Sequence, residues 1–139
     1  MKLSNFWIAS LIIYIVSMVL GYSIHECLLK ADYMMIAHLL RTPEEAKAFF
    51  PWMLVGNVFY SLAFVWIYRR GKENKPCLGQ GVRYGLAMAA LYVIPMYLIY
   101  YSVQPMPEML VFKQIAFETV GVLILGVLVA CLHNRQSMF

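Results

Sequence analysis

Charge is what this sequence has least of. Only 13% of its 139 residues are Asp, Glu, Lys or Arg, against roughly 25% in a soluble domain. That scarcity excludes an ordinary soluble enzyme and a disordered regulator. Cysteine is scarce as well: three residues, with no C-x-x-C and no metal-ribbon spacing, exclude a disulfide-stapled secreted domain. G-x-S-x-G, a P-loop and H-E-x-x-H are all missing, so nucleophilic, nucleotide-binding and zinc-protease chemistries have no motif to stand on. What remains is apolar, 63% of the chain, against roughly 45–50% in soluble domains. Four spanning helices of roughly 20 residues need about 80 apolar-dominated residues and leave about 60 for the rest. The expected fold class is therefore all-α. It is a single integral membrane domain over residues 1–139, a four-transmembrane-helix bundle with short interfacial helices between spans one and two.

The first apolar run extends from Phe6 to about Leu29. It comes after a charged start, Met1-Lys2-Leu3, but exceeds the roughly 7–15 residues of a cleavable signal, so an uncleaved signal-anchor is expected. The second span is expected from Pro51 to Tyr68, with Pro51 in its first turn. Arg69, Arg70 and Gly71 close it, cations on the negative end of the helix dipole and a glycine for the cap. The third span is expected from Tyr84 to Val103, kinked by Pro95, which frees the carbonyl of Leu91. The fourth runs from Met109 to Leu132. Between spans one and two, Thr42-Pro43-Glu44-Glu45 fits a capping box and predicts a short helix over Pro43 to Phe50. Ala31 to Leu40 is too short to cross a bilayer and suits an interfacial helix.

Tyr14 to Tyr22 can be laid over Tyr92 to Tyr100, and Met53-Leu54-Val55 recurs as Met109-Leu110-Val111. Such a repeat would build the bundle from two duplicated helical hairpins. Lysine and arginine near span ends set orientation. Lys2, Arg69, Arg70, Lys72, Lys75, Arg83 and Arg135 collect on one side, against Lys30, Arg41, Lys47 and Lys113 on the other. This expectation puts both termini in the cytoplasm. The net charge of +4 then reflects topology, and nucleic acid is not an expected partner. Cys27 lies towards the outer face, Cys77 and Cys131 towards the inner, and no structural disulfide is expected. Trp7, Trp52, Trp66, Tyr33, Tyr68, Tyr84, Tyr100 and Tyr101 fall near span ends, as interfacial belts do. Gly81-x-x-x-Gly85 opens span three and suits close helix approach.

Polar residues inside spans point to function by default. Tyr14, Ser17, Gly21 and His25 recur at steps of three or four and share a helix face, with Glu26 beside it. Asn57 and Ser61 share a face in span two, and Gln114, Glu118 and Gly121 in span four, with Lys113 adjacent. At about 1.5 Å per residue, His25 lies roughly 6 Å inside its span, Gln114 about 7 Å, Asn57 about 9 Å and Glu118 about 13 Å. The residues can therefore meet in the outer half of the bundle. The candidate polar pocket comprises His25, Glu26, Asn57, Ser61, Lys113, Gln114 and Glu118. The competing reading is that these groups only fix helix packing, Glu118 being the residue whose depth argues most for function.

No cofactor is expected. A haem would want two histidines facing each other at one depth, and only His25 with His38 is open to that. A metal ion could draw on His25, His38 and Glu118, but their spacing matches no ligand motif. The methionines suggest copper(I), yet methionine is also an ordinary gap-filler. The whole chain, through Tyr22-Ser23-Ile24-His25-Glu26, Trp66-Ile67-Tyr68-Arg69-Arg70-Gly71 and Gln80-Gly81-x-Arg83-Tyr84-Gly85, resembles small bacterial four-helix inner-membrane proteins. That resemblance implies the topology and a bacterial inner membrane, and no catalytic residue. The leading expectation is a non-enzymatic accessory or assembly subunit, packing against partner helices or a second copy of itself within the lipid bilayer. The alternative is binding or transport of a small ligand, metal or ion through the polar pocket. A third is a membrane enzyme acting on a lipid or quinone.

Overall fold

The computed structural model describes the backbone from Leu3 to Asn134; Lys2 and Arg135, two of the seven orienting bases, lie outside the described residues. Over the described residues the chain is all-α, a bundle in which four helices are long and apolar enough to cross a membrane. Helix α1 (Leu3–Tyr22) runs straight into a π-helical segment, Ser23–Leu28. That segment alters the expected polar face, because each i→i+5 turn holds an extra residue and shifts the phase of the residues beyond it. Tyr14, Ser17 and Gly21 keep α-helical spacing, whereas His25 lies within the wider turn. Ser17 donates to its own Tyr14 carbonyl at 2.8 Å.

Leu29, fully buried, turns the chain into α2 (Lys30–Met35) and a 3-10 turn, Ala37–Leu39. These cover the region expected as one interfacial helix. They rest on a small apolar cluster of Ile24, Leu29, Ile36 and Leu110. Helix α3 (Pro43–Gly71) begins at the expected capping box. Thr42 Oγ1 accepts from the Glu45 N–H at 3.3 Å, and Glu45 Oε2 accepts from the Thr42 N–H at 3.1 Å. It does not stop at Phe50, which corrects both the separate short helix and the placing of Pro51 in a first turn. Pro51 lies well inside one helix of 29 residues. It removes a single bond to the Lys47 carbonyl, and the helix-forming run Glu44–Lys47 before it carries the helix through. At about 1.5 Å per residue α3 measures roughly 43 Å, more than the roughly 30 Å of bilayer hydrocarbon.

The third span starts at Cys77, seven residues before the expected Tyr84, as α4 (Cys77–Met88), a π-helical segment (Ala89–Val93) and α5 (Ile94–Val103). Pro95 comes two residues after the end of the π segment, and Leu91, whose carbonyl it deprives of the donor four residues on, lies within it. Wider turns there absorb the misfit that would otherwise kink the helix sharply. Helix α6 (Glu108–Asn134) completes the bundle. The two π segments fall at different points of the proposed hairpin repeat: the first maps onto residues 101–106, where the chain is leaving α5.

Helix α6 is the centre of the packing. Its Val122, Leu125, Val129 and Ala130 meet Ile13 of α1, Phe64 and Val65 of α3, and Met88 and Val93 of span three. Against α4 the approach is backbone to backbone, Gly81 and Gly85 lying on Gly126, so the expected glycine motif serves this chain's own interior. Trp7, Trp52 and Trp66 are exposed, as an interfacial belt requires, but Tyr68 is buried in the core. Large apolar side chains cover the outside of every span, an arrangement suited to a lipid environment.

Candidate functional site

At the end of the bundle where α1 finishes and α6 begins, four side chains join in one chain of hydrogen bonds. The π segment of α1 supplies His25, α2 supplies Tyr33, and α6 supplies Gln114 and Glu118 one helical turn apart. His25 Nε2 lies 2.9 Å from Glu118 Oε1, and His25 Nδ1 lies 2.7 Å from the Tyr33 hydroxyl. Gln114 Nε2 donates to the same hydroxyl at 2.9 Å. A carboxylate can only accept, so with one proton on the imidazole it is Nε2 that carries it towards Glu118. Nδ1 is then the acceptor, Tyr33 O–H donates to it, and the phenol oxygen accepts from Gln114. Beside this chain Lys113 Nζ donates to both oxygens of Asp32, at 2.8 and 3.0 Å, which ties α2 down onto α6.

One atom in the group has no partner. Gln114 is 3% exposed, and its Oε1 is buried without a hydrogen bond. A buried acceptor left unmet costs about 1–3 kcal/mol. Gln114 also lines a cavity of about 820 Å³ together with His25, Glu26, Tyr33, Met34, Leu40 and Met96. The lining is mostly apolar, with Lys30 and Arg41 among its charged residues. Burial raises the Tyr33 phenol above its ordinary value of 10, the hydrogen bond from Gln114 acts the other way, and the Glu118 and Asp32 charges add to the rise. Tyr33 therefore stays protonated as a donor. A ligand held against Tyr33 could exchange a proton along phenol, imidazole and carboxylate.

The chain matches no protein-family model, and neither a curated protein nor a solved structure was found similar to it. The site therefore stands on its own geometry. Of the residues singled out from sequence, His25, Gln114 and Glu118 are brought together, Glu26 lines the cavity, and Lys113 is adjacent through Asp32. Asn57 and Ser61 are not joined to them. Each bonds within its own helix at 3.0 Å, Asn57 to the Met53 carbonyl and Ser61 to that of Val58. Their polarity is satisfied locally, as such side chains in helices often are. His38 is exposed on the 3-10 turn and takes no part in the hydrogen-bonded chain. Among the described residues no three of His, Cys, Asp and Glu are grouped to hold a metal ion, so the expected His25, His38 and Glu118 set is not assembled. Sequence reasoning missed Tyr33, taken for part of an aromatic belt, and Asp32. The available signal was a deficit of partners, since His25 and Gln114 together offer more donors and acceptors than Glu118 can meet.

Proposed function

We propose that this multi-pass membrane protein binds a small amphiphile in the cavity between α2 and α5. The ligand's apolar body would lie along Met34, Leu40 and Met96, and its head would donate a hydrogen bond to Gln114. The observation that carries this reading is Gln114, which lines a mostly apolar cavity and holds a buried, unmet Oε1 beside three groups already bonded to one another. Pockets of about 300–1,000 Å³ with a few convergent polar groups are the usual form of small-molecule sites. The test is purification in a mild detergent, then mass spectrometry of the small molecules retained. Wild type should hold an amphiphile that Gln114→Ala loses with its helicity intact. Equal retention by both proteins would refute the reading.

A second reading, an accessory subunit packing against partner helices or another copy, draws on α3. Residues 43–53 are exposed throughout, and Phe49, Phe50 and Trp52 stand outside the bundle. Native mass spectrometry would count against it by finding only a monomer without companions. Both readings fit a bacterial inner membrane with cytoplasmic termini. Arg69, Arg70, Lys72, Lys75 and Arg83, gathered around one connection, support that orientation. Labelling of single cysteines introduced in the 72–76 connection tests it.

A further inference from the structure

At the opposite end of the bundle from the cavity, Cys77 is the first residue of α4 and Cys131 lies in the last turn of α6. Their sulfurs are in direct contact, 2.6 Å apart across a sequence separation of 54. Both residues are half-buried. Their meeting is set by the backbone, because Gly81 of α4 and Gly126 of α6 touch within five residues of each cysteine and leave no room for the helices to slide. Cys27, by contrast, is exposed at the other end, next in sequence to the cavity-lining Glu26.

We infer that Cys77 and Cys131 are a redox-active dithiol, oxidised reversibly by a low-molecular-weight disulfide to an intramolecular cystine. One cysteine thiolate attacks a sulfur of the reagent, a new S–S bond forms, and the reagent's own S–S bond breaks to release a thiolate. The second cysteine then attacks the first, closing the Cys77–Cys131 bond and expelling the other half of the reagent. Two electrons pass from the cysteines to the reagent, and the two cysteine protons end on its two thiols. The cystine would fasten the start of α4 to the end of α6, where the two helices already meet most closely.

The test treats the full-length protein in detergent with oxidised glutathione, alkylates what remains with N-ethylmaleimide, and maps the peptides. Alkylated cysteines should fall from three to one, Cys27, with a peptide pair joined through Cys77 and Cys131. Dithiothreitol should restore all three without a change in helicity. Cys77→Ser should instead accumulate a glutathione adduct on Cys131, because the resolving thiol is gone. The inference is overturned if wild type accumulates a stable adduct without the internal link, if it links only between chains through Cys27, or if all three thiols stay alkylatable while the protein is folded.

Discussion

Replacing Gly81 by alanine probes the approach on which the α4–α6 pairing depends. A Cβ at Gly81 would lie 2.7 Å from the Gly126 carbonyl oxygen and 2.8 Å from the Val127 nitrogen, with Val127 Cα nearer still. Ordinary contact begins at 3.4 Å, so the shortfall is at least about 0.7 Å, and each of the three nearest atoms belongs to backbone that cannot rotate aside. The helices must separate, which costs about 1–3 kcal/mol as overpacking does. Gly79→Ala is the matched control: it is two residues away in the same helix, and nothing lies within 4 Å of its Cβ. There alanine should gain up to about 1 kcal/mol of helix propensity. Because alanine brings that propensity at either position, the two variants should differ by the overpacking cost, about 1–3 kcal/mol, measured by reversible unfolding of the purified protein in mixed micelles on titration with a denaturing detergent. Equal stability of Gly79→Ala and Gly81→Ala would refute the close approach.

Pro51→Ala should stabilise α3 by up to about 3 kcal/mol, since it restores a donor for the Lys47 carbonyl; the same titration reads it. Tyr33→Phe should cost about 1–3 kcal/mol by leaving His25 Nδ1 and the Gln114 amide without their shared partner. The raised Tyr33 phenol also contributes stability that is complete below pH 10 and lost as pH climbs through its folded value. The gap between wild type and Tyr33→Phe should accordingly narrow above pH 10. Glu73, outside the spans, is held below its ordinary 4.5 by hydrogen bonds from Lys75 and Arg83. Its small contribution is present above pH 4.5 and fades as pH falls through the lowered value, so Glu73→Gln and wild type should converge in acid.

What the sequence made legible was local or set by depth. The Thr42–Glu45 capping box could be read because its partners are three residues apart, and the Arg69–Gly71 stop because it depends on one helix end. The meeting of His25 with Glu118 came from their both lying in the outer half of the bundle on inward-facing positions of two spans. The start of α4 at Cys77 was hidden by Gln80 and Arg83, which look too polar for a span. In the fold the Gln80 amide accepts from the Tyr68 hydroxyl and donates to the Glu73 carbonyl at 2.8 Å, while Arg83 pairs with the Glu73 carboxylate at 2.7 Å. Tyr33 was illegible for a different reason: its place depends on the π turn of α1 and the bend at Leu29, and neither has a sequence signature. Asn57 and Ser61 misled because depth and face describe where a side chain sits, not whether its own backbone has already satisfied it.

The π turn at Ser23–Leu28 makes the site sensitive to chain length as well as to residue type. Each residue of an α-helix turns the next by about 100°. Deleting one residue between Tyr22 and Leu28 would take out the extra residue that the π turn holds, and α1 would continue as an ordinary helix with the chain beyond it kept in place. Adding one residue there, with no wider turn to absorb it, would instead rotate the chain beyond it by about that angle, so that His25 pointed away from Glu118 or α2 was swung off the cavity, although no side chain in the hydrogen-bonded chain had been altered. Side-chain replacement and lengthening by one residue are therefore separate lesions here, and only the second moves the imidazole and the phenol together.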